Sequence, residues 1–332
     1  MDNTRRAAVV AGLGAWVPPT VVTNDDLAAD PALDTSDEWI RTRTGITRRH
    51  IADPSMSTSL LAAEAGRRAL DSAGTTAPDI LVLATSTPDR PCPATAPTVA
   101  ARLGLGDIGA FDVAAVCSGF VYALATATGL IGTGTANTAL VIGADTFSTI
   151  LDPTDRSTRA IFGDGAGALV LRAGDPAEPG ALHGFDLGSD GSGADLITVR
   201  GGGSESADAD PYFRMAGPRV FVQAVRRMSG SVAAVTERVG WTTNDIDLIV
   251  PHQANVRILD ACAEELGLPQ HRIAKNIAQR GNTVAGSIPL ALADAAADGS
   301  LKPGNRVVLT GFGGGLTWGS AALTWADIRP QT

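Results

Sequence analysis

Asp79-Ile-Leu-Val-Leu-Ala-Thr85 is a short run, apolar throughout behind one carboxylate, and it recurs as Asp247-Leu-Ile-Val-Pro-His-Gln253. A run apolar at every position, rather than at every second one, suits a strand covered on both faces. Outward from the first copy, apolar or β-branched runs at 7–13, 80–86, 109–114, 139–143 and 167–172 alternate with alanine-rich, helix-length segments at 58–73, 94–103 and 118–132. Residues 173–180 hold Gly, Asp and two prolines and read as a crossover. Around the second copy the order recurs: strands at 181–188, 248–251, near Lys275, at 306–311 and at 318–325, with helices at 217–239, 256–266 and 287–298. The reading is an internal duplication of about 160 residues. It predicts two α/β halves, 1–173 and 174–332, packed as layers with the site between them. Residues 33–49 and 188–211 fit neither template and read as surface loops.

Composition narrows the partners. Of 332 residues, 44% are hydrophobic and 18% charged, enough apolar material for a large core. A net charge of −9 disfavours a nucleic acid partner. Lys275 and Lys302 are the only lysines and neither follows glycine, which excludes a P-loop. Three scattered cysteines, Cys92, Cys117 and Cys262, suit reduced thiols in the cytoplasm. Met1-Asp-Asn-Thr-Arg-Arg6 leads into no signal-peptide core. The uncharged stretch 113–144 is interrupted by Gly129, Gly132, Gly134 and Asn137, so it reads as helix, turn and strand rather than a membrane span.

Cys117 ends a strand-like run and opens a helix. At that turn a helix N-terminus is expected to acidify the thiol and suit it as a nucleophile. Its alternative is a small buried hydrophobe. Cys92, between two prolines, and Cys262 read as structural. His252 follows an apolar strand, at the end of a strand where α/β sites form. His50, His183 and His271 show no ligand spacing, and no metal is expected. Asn282 by itself reads as a turn residue or cap. The triplet Gly313-Gly314-Gly315 can bring backbone N–H groups against a ligand, as an oxyanion hole needs. No dinucleotide fingerprint is present.

Six motifs, in order, carry a resemblance: Asp37-Glu-Trp-Ile-Arg-Thr-Arg-Thr-Gly-Ile46, Phe111-Asp-Val-Ala-Ala-Val-Cys-Ser-Gly-Phe120, Phe162-Gly-Asp-Gly-Ala-Gly-Ala168, Val250-Pro-His-Gln-Ala-Asn-Val-Arg257, Gly281-Asn-Thr283 and Gly311-Phe-Gly-Gly-Gly315. Over nearly its whole length the chain resembles the β-ketoacyl-acyl carrier protein synthase III enzymes of the thiolase superfamily. The resemblance implies a thiolase-like α-β-α-β-α fold, a homodimer, and no cofactor beyond the coenzyme A thioester substrate. It implies a triad of Cys117, His252 and Asn282. Cys117 would take an acyl group from acyl-CoA, and malonyl-acyl carrier protein would lose carbon dioxide and attack it. His252 and Asn282 would stabilise the enolate, while the N–H groups of Cys117 and Gly314 hold the acyl oxyanion. Trp39 and Arg156 would sandwich the adenine, with Arg43 near the nucleotide and Asn255 near the pantetheine. Gly217 and Phe221 would line the tunnel, and Arg257 would meet the carrier protein.

Two departures stand out. Glu264 and Glu265 occupy places where the family often has lysines, which shifts the expected carrier contact to Arg257, Arg219, Arg226 and Arg227. Cys92 falls where acetyl-specific members place a phenylalanine at the floor of the partner's acyl pocket. A smaller residue there implies a longer or branched primer. The implied pathway is fatty acid synthesis or the priming of an aromatic polyketide. The alternatives are acyl transfer to a hydroxyl or amine without condensation, and a non-catalytic acyl-binding partner. The presence of Asn282 speaks against the first and that of Cys117 against the second.

Overall fold

The computed structural model describes residues 6–332; apart from Arg6, the N-terminal stretch read above lies outside them. The first half runs β1 (Ala7–Trp16), β2 (Val21–Thr23), α1 (Asn24–Ala28), α2 (Asp37–Thr44), β3 (Arg48–His50), α3 (Thr58–Ala73), β4 (Ile80–Ala84), α4 (Ala96–Leu103), β5 (Gly109–Val113), α5 (Gly119–Gly132), β6 (Thr138–Asp145), α6 (Arg156–Arg159) and β7 (Gly165–Gly174). The second runs β8 (Leu182–Ser189), β9 (Ile197–Val199), β10 (Phe213–Met215), α7 (Gly217–Arg238), β11 (Leu248–Pro251), α8 (Val256–Glu265), α9 (Ile277–Arg280), α10 (Ser287–Ala297), β12 (Arg306–Gly313) and β13 (Thr317–Thr324).

Two main sheets, ordered β1-β7-β6-β4-β5 and β11-β12-β13-β8, repeat one plan. In each, the strand behind the quoted motif pairs in parallel with a strand that continues into antiparallel neighbours. The register repeats as well. Ile80 pairs with Ala139 and Leu248 with Val307, each partner lying 168 residues further on (248 against 80, 307 against 139). The acid that heads each motif ties the start of its strand to the neighbouring strand. The Asp79 carboxylate accepts the N–H groups of Asn137 and Thr138, and that of Asp247 accepts Arg306 N–H.

Helices α5 and α10 pack against strands of both sheets and form the middle layer, while α3 and α4 cover one sheet and α7 the other. The core between the sheets includes Val82, Phe120, Leu124, Val250, Ile288 and Leu292, all buried. Each central helix is entered through a tight 3-10 turn, Val116–Ser118 before α5 and Val284–Gly286 before α10. Val116 and Val284 both take positive φ, 46° and 50°, a strained conformation for a β-branched residue. The duplication thus extends to backbone strain.

Three expectations need correction. Residues 33–49 are not a surface loop: Ser36 caps α2, Ile40 and Ile46 are fully buried, and the buried Arg49 donates to the Val22 and Ala160 carbonyls. Within 188–211, β9 pairs with β10 as a small ribbon. The strand near Lys275 contracts to one parallel bridge between Ile249 and Ile273, because the Asn276 and Ile277 N–H groups turn to Gln253 Oε1 and the chain enters α9. The uncharged stretch 113–144 agrees with its expectation: it holds α5, a turn and β6, and it is mostly interior, Phe120, Leu124, Leu140 and Ile142 being fully buried within one chain. The place of α5 in the middle layer and of β6 inside the five-stranded sheet explains its lack of charge.

Candidate active site

Cys117 sits in the turn between β5 and α5 and is 8% exposed. The turn places the residue at a helix start, as expected, but the expected acidification is overturned. Burial, and after it the nearby Asp145 carboxylate, push the thiol well above its ordinary range. Desolvation of a thiolate outweighs the partial charge of a helix end, so the resting residue is a neutral thiol.

His252 leaves β11 with its N–H donating to Thr310 O at 2.7 Å and its ring 2.6 Å, through Nδ1, from Ser287 Oγ. Ser287 Oγ also accepts Gln253 N–H at 3.2 Å. With one neighbour a donor, the Ser287 proton is best placed on Nδ1, which leaves the imidazole proton on Nε2. Burial lowers the His252 pKa to about 3, against a smaller upward pull from the Val284 carbonyl, so the ring is neutral. Asn282 is oriented by its own backbone. Its Oδ1 accepts Val284 N–H at 3.0 Å, which turns the amide NH2 the other way as a donor.

These three side chains line one chamber of about 40 Å³. Its walls are largely apolar, and Phe147, Phe162 and Phe213 form a tilted and edge-on cluster with centroids 4.6–5.1 Å apart. A second cavity of about 450 Å³ shares Phe162, Met215, Val220 and Asn282 with this chamber and extends to Trp39, Arg43, Gly217, Phe221 and Asn255. A third, of about 490 Å³, lies beyond Val116 and Phe147 and is bordered by Thr85, Ser86, Gly314 and Thr317. The chamber is a constriction between two larger spaces.

The remaining predicted residues divide. Trp39 carries the Arg43 and Arg156 guanidinium groups at 4.7 and 5.0 Å from its ring centroid, and Arg156 also meets the Asp34 carboxylate at 3.1 Å. At that distance Arg156 rests on the ring itself, leaving no slot for a base between them. Asn255 caps α8 and donates to Arg43 O at 3.0 Å, so it braces the cavity mouth. Gly314 borders the third cavity, and its N–H meets no acceptor among the described residues. Cys92 is exposed and borders none of the three spaces. Arg257, Arg219 and Arg226 are exposed, with Arg257 donating to Thr42 O. Arg227 is corrected: it pairs with Asp190 and covers the Trp318 ring at 4.2 Å, so it is not free for a carrier.

Sequence reasoning missed Ser287, Gln253, Phe147, Phe213 and the ribbon residues Ile197 and Met215. Phe213-Arg-Met215 does alternate as a strand should, but three residues between loops give too short a signal.

Two family models match the chain: 3-oxoacyl-[acyl-carrier-protein (ACP)] synthase III over residues 111–191, and 3-oxoacyl-[acyl-carrier-protein (ACP)] synthase III C terminal over 236–325. The β-ketoacyl-[acyl-carrier-protein] synthase III 3 of Streptomyces coelicolor is 57% identical over 334 residues, spanning 98% of this chain and 99% of that protein. Among solved structures, the 3-oxoacyl-(acyl carrier protein) synthase III of Pseudomonas aeruginosa aligns with a TM-score of 0.93 at 57% identity, over 98% of this chain and 100% of that one. A priming β-ketosynthase from a polyketide biosynthetic pathway aligns with a TM-score of 0.91 at 33% identity, over 97% of each chain. The duplicated fold, the buried cysteine, histidine and asparagine and these full-length likenesses agree: the chain belongs to the 3-oxoacyl-[acyl-carrier-protein] synthase III family.

Proposed function

We propose that the protein joins an acyl-CoA primer to malonyl-acyl carrier protein by decarboxylative condensation, releasing a β-ketoacyl-acyl carrier protein. In the first half-reaction the Cys117 sulfur attacks the acyl carbonyl, and CoA leaves with the thiol proton. In the second, the malonyl carbon–carboxylate bond breaks, its electron pair becomes an enolate, and carbon dioxide departs. The enolate carbon attacks the acyl thioester, and Cys117 leaves as a thiolate that is then protonated. Loss of carbon dioxide supplies the nucleophile's electron pair, so this scheme calls for no cofactor. The observation that carries the reading is the pair of neutral donors, His252 and Asn282, lining a low-dielectric chamber with the thiol. Simple acyl transfer forms no enolate and has no use for them.

The second cavity suits the pantetheine arm, with Trp39, Arg43, Gly217, Phe221 and Asn255 around it. Arg156 swings off Trp39 when the adenine binds. The Cys117 and Gly314 N–H groups hold the acyl oxygen, and the carrier docks near Arg257. The halves 1–173 and 174–332 act as one unit. A homodimer forms along β5, an edge strand that is half-buried in the single chain, and Cys92 of the partner subunit closes the third cavity as the floor of the acyl pocket.

Intact-protein mass spectrometry of wild type and Cys117→Ala with a panel of acyl-CoAs, followed by malonyl carrier, tests the scheme. The expected result is a Cys117-dependent acyl adduct that malonyl carrier discharges as a β-ketoacyl product. An adduct that malonyl carrier never discharges overturns condensation, and a strict acetyl preference overturns the enlarged pocket.

A further inference from the structure

Asp145 ends β6 and is 0% exposed, yet it has no part in the scheme above. Among the described residues it faces no arginine, lysine or histidine within ion-pair distance. Its oxygens are instead filled by neutral donors. Oδ1 accepts Ser86 N–H at 2.7 Å, Thr87 N–H at 3.1 Å, Thr87 Oγ1 at 3.0 Å and Thr85 Oγ1 at 3.2 Å. Oδ2 accepts Ala285 N–H at 3.0 Å.

The duplication gives that last bond its meaning. With the 168-residue offset, the turn Val116–Ser118 corresponds to Val284–Gly286 and β6 to β12, so Ala285 is the counterpart of Cys117 and Gly313 that of Asp145 (285 against 117, 313 against 145). The contacts cross between halves. A Cβ on Gly313 would lie 2.6 Å from Cys117 N, while the real side chain of Asp145 reaches Ala285 N. Likewise a Cβ on Gly143 would meet Ala285 O at 2.2 Å, and one on its counterpart Gly311 would meet Cys117 O at 3.0 Å. The fold therefore builds two equivalent turns. One has its amide left bare beside a glycine and carries the nucleophile. The other has its amide occupied by a carboxylate.

The occupied turn is the one that carries the donors. Val284 N–H orients Asn282, and Ser287, two residues after Ala285, orients His252. We infer that Asp145 is a positioning residue for condensation: by filling at the Ala285 turn the place a substrate oxygen takes at Cys117, its carboxylate holds Asn282 and the Ser287–His252 pair in donor geometry. This rests on the condensing function proposed above.

The test is Asp145→Asn, read in single turnovers that separate acylation by acyl-CoA from discharge by malonyl carrier. The variant has one acceptor oxygen. Four donors hold it on the Thr85–Thr87 side, so its NH2 confronts Ala285 N–H and breaks that link. Acylation should stay within about twofold of wild type or rise, since removing the negative charge eases thiolate formation at Cys117. Condensation should slow by about tenfold or more. Equal loss in both half-reactions would mean a merely structural role, and unchanged condensation would sink the inference outright. A wild type that is acylated but never discharged would defeat the condensing function instead.

If the variant does not fold, the pH dependence of wild-type discharge decides. Burial raises the Asp145 carboxyl to about 6. The titratable group facing it is the Cys117 thiol, capped as a thioester in this half-reaction, and His252 further along the site stays neutral to about 3. Discharge of preformed acyl-enzyme should fall as the pH drops through about 6 while the fold persists; a flat profile over about pH 8 to 5 would overturn the inference.

Discussion

Asn282 and Asp145 show how one polar side chain acquires a direction. An exposed asparagine presents donor and acceptor equally, but the Val284 N–H holds the Oδ1 of Asn282 and leaves its NH2 for the chamber. Asn282→Ala should therefore lower condensation by about 10²–10³, the range for one oxyanion-type donor, while Cys117 still takes up acyl groups. Stopped turnovers with labelled acyl-CoA would separate the two effects. Asp145 also carries a stability consequence. Its carboxyl is raised from 3.8 to about 6, chiefly by burial, so the folded state binds this proton more tightly than the unfolded chain. That stabilisation is full below 3.8 and is lost as the pH rises through about 6, amounting to about 3 kcal/mol. Urea titrations of wild type and Asp145→Asn should show the gap moving in favour of the variant by about that amount from acid to neutral pH. Retaining a charge that weakens the fold suits a site residue better than a core residue.

At the scale of the element, each 3-10 turn is clamped by a strand end from the opposite sheet. The clamp at Cys117 requires glycine: at Gly313 a methyl group would stand 2.6 Å from Cys117 N and 3.2 Å from its Cβ. Gly313→Ala should obstruct the acyl oxygen's place and depress acylation itself by about 10²-fold or more, unlike Asn282→Ala, which spares it. Measuring alkylation of Cys117 by iodoacetamide alongside acylation would show whether the thiol remains accessible while the carbonyl oxygen loses its donor. The β9–β10 ribbon works differently. It supplies Ile197, Phe213 and Met215 to the chamber wall, and Arg214 pins it through Asp152 and Asp210 at 2.9 and 2.6 Å. Neither strand has the length to declare itself, so the ribbon is formed by its tertiary contacts.

For the whole molecule, β5 leaves one edge of the five-stranded sheet unpaired and half-buried. Pairing with the same strand of a second copy would cover that edge and bring each exposed Cys92 loop toward the other subunit. Gly109→Arg, which places a charge at the exposed start of this edge strand, should shift the protein from dimer to monomer in sedimentation velocity and loosen its selectivity among acyl-CoAs. Local patterning went far in this chain. Fully apolar runs such as Ile80–Ala84, alanine-rich helices and the recurring aspartate announced a duplicated, layered α/β fold, because a strand covered on both faces must be apolar at every position. Cys117 and His252 stood out by their places at a strand-to-helix turn and a strand end, whereas Asn282 read by itself as a turn residue or cap and joined them only through the family resemblance. Tertiary structure alone decided their chemistry. The neutral states of Cys117 and His252, the seating of the His252 ring on Ser287 and the outward NH2 of Asn282 depend on burial and on Asp145, Ser287 and Val284, the first two far along the chain from the groups they affect. Whether a polar group donates, accepts or ionises is set by the atoms packed around it, and sequence order does not encode that neighbourhood.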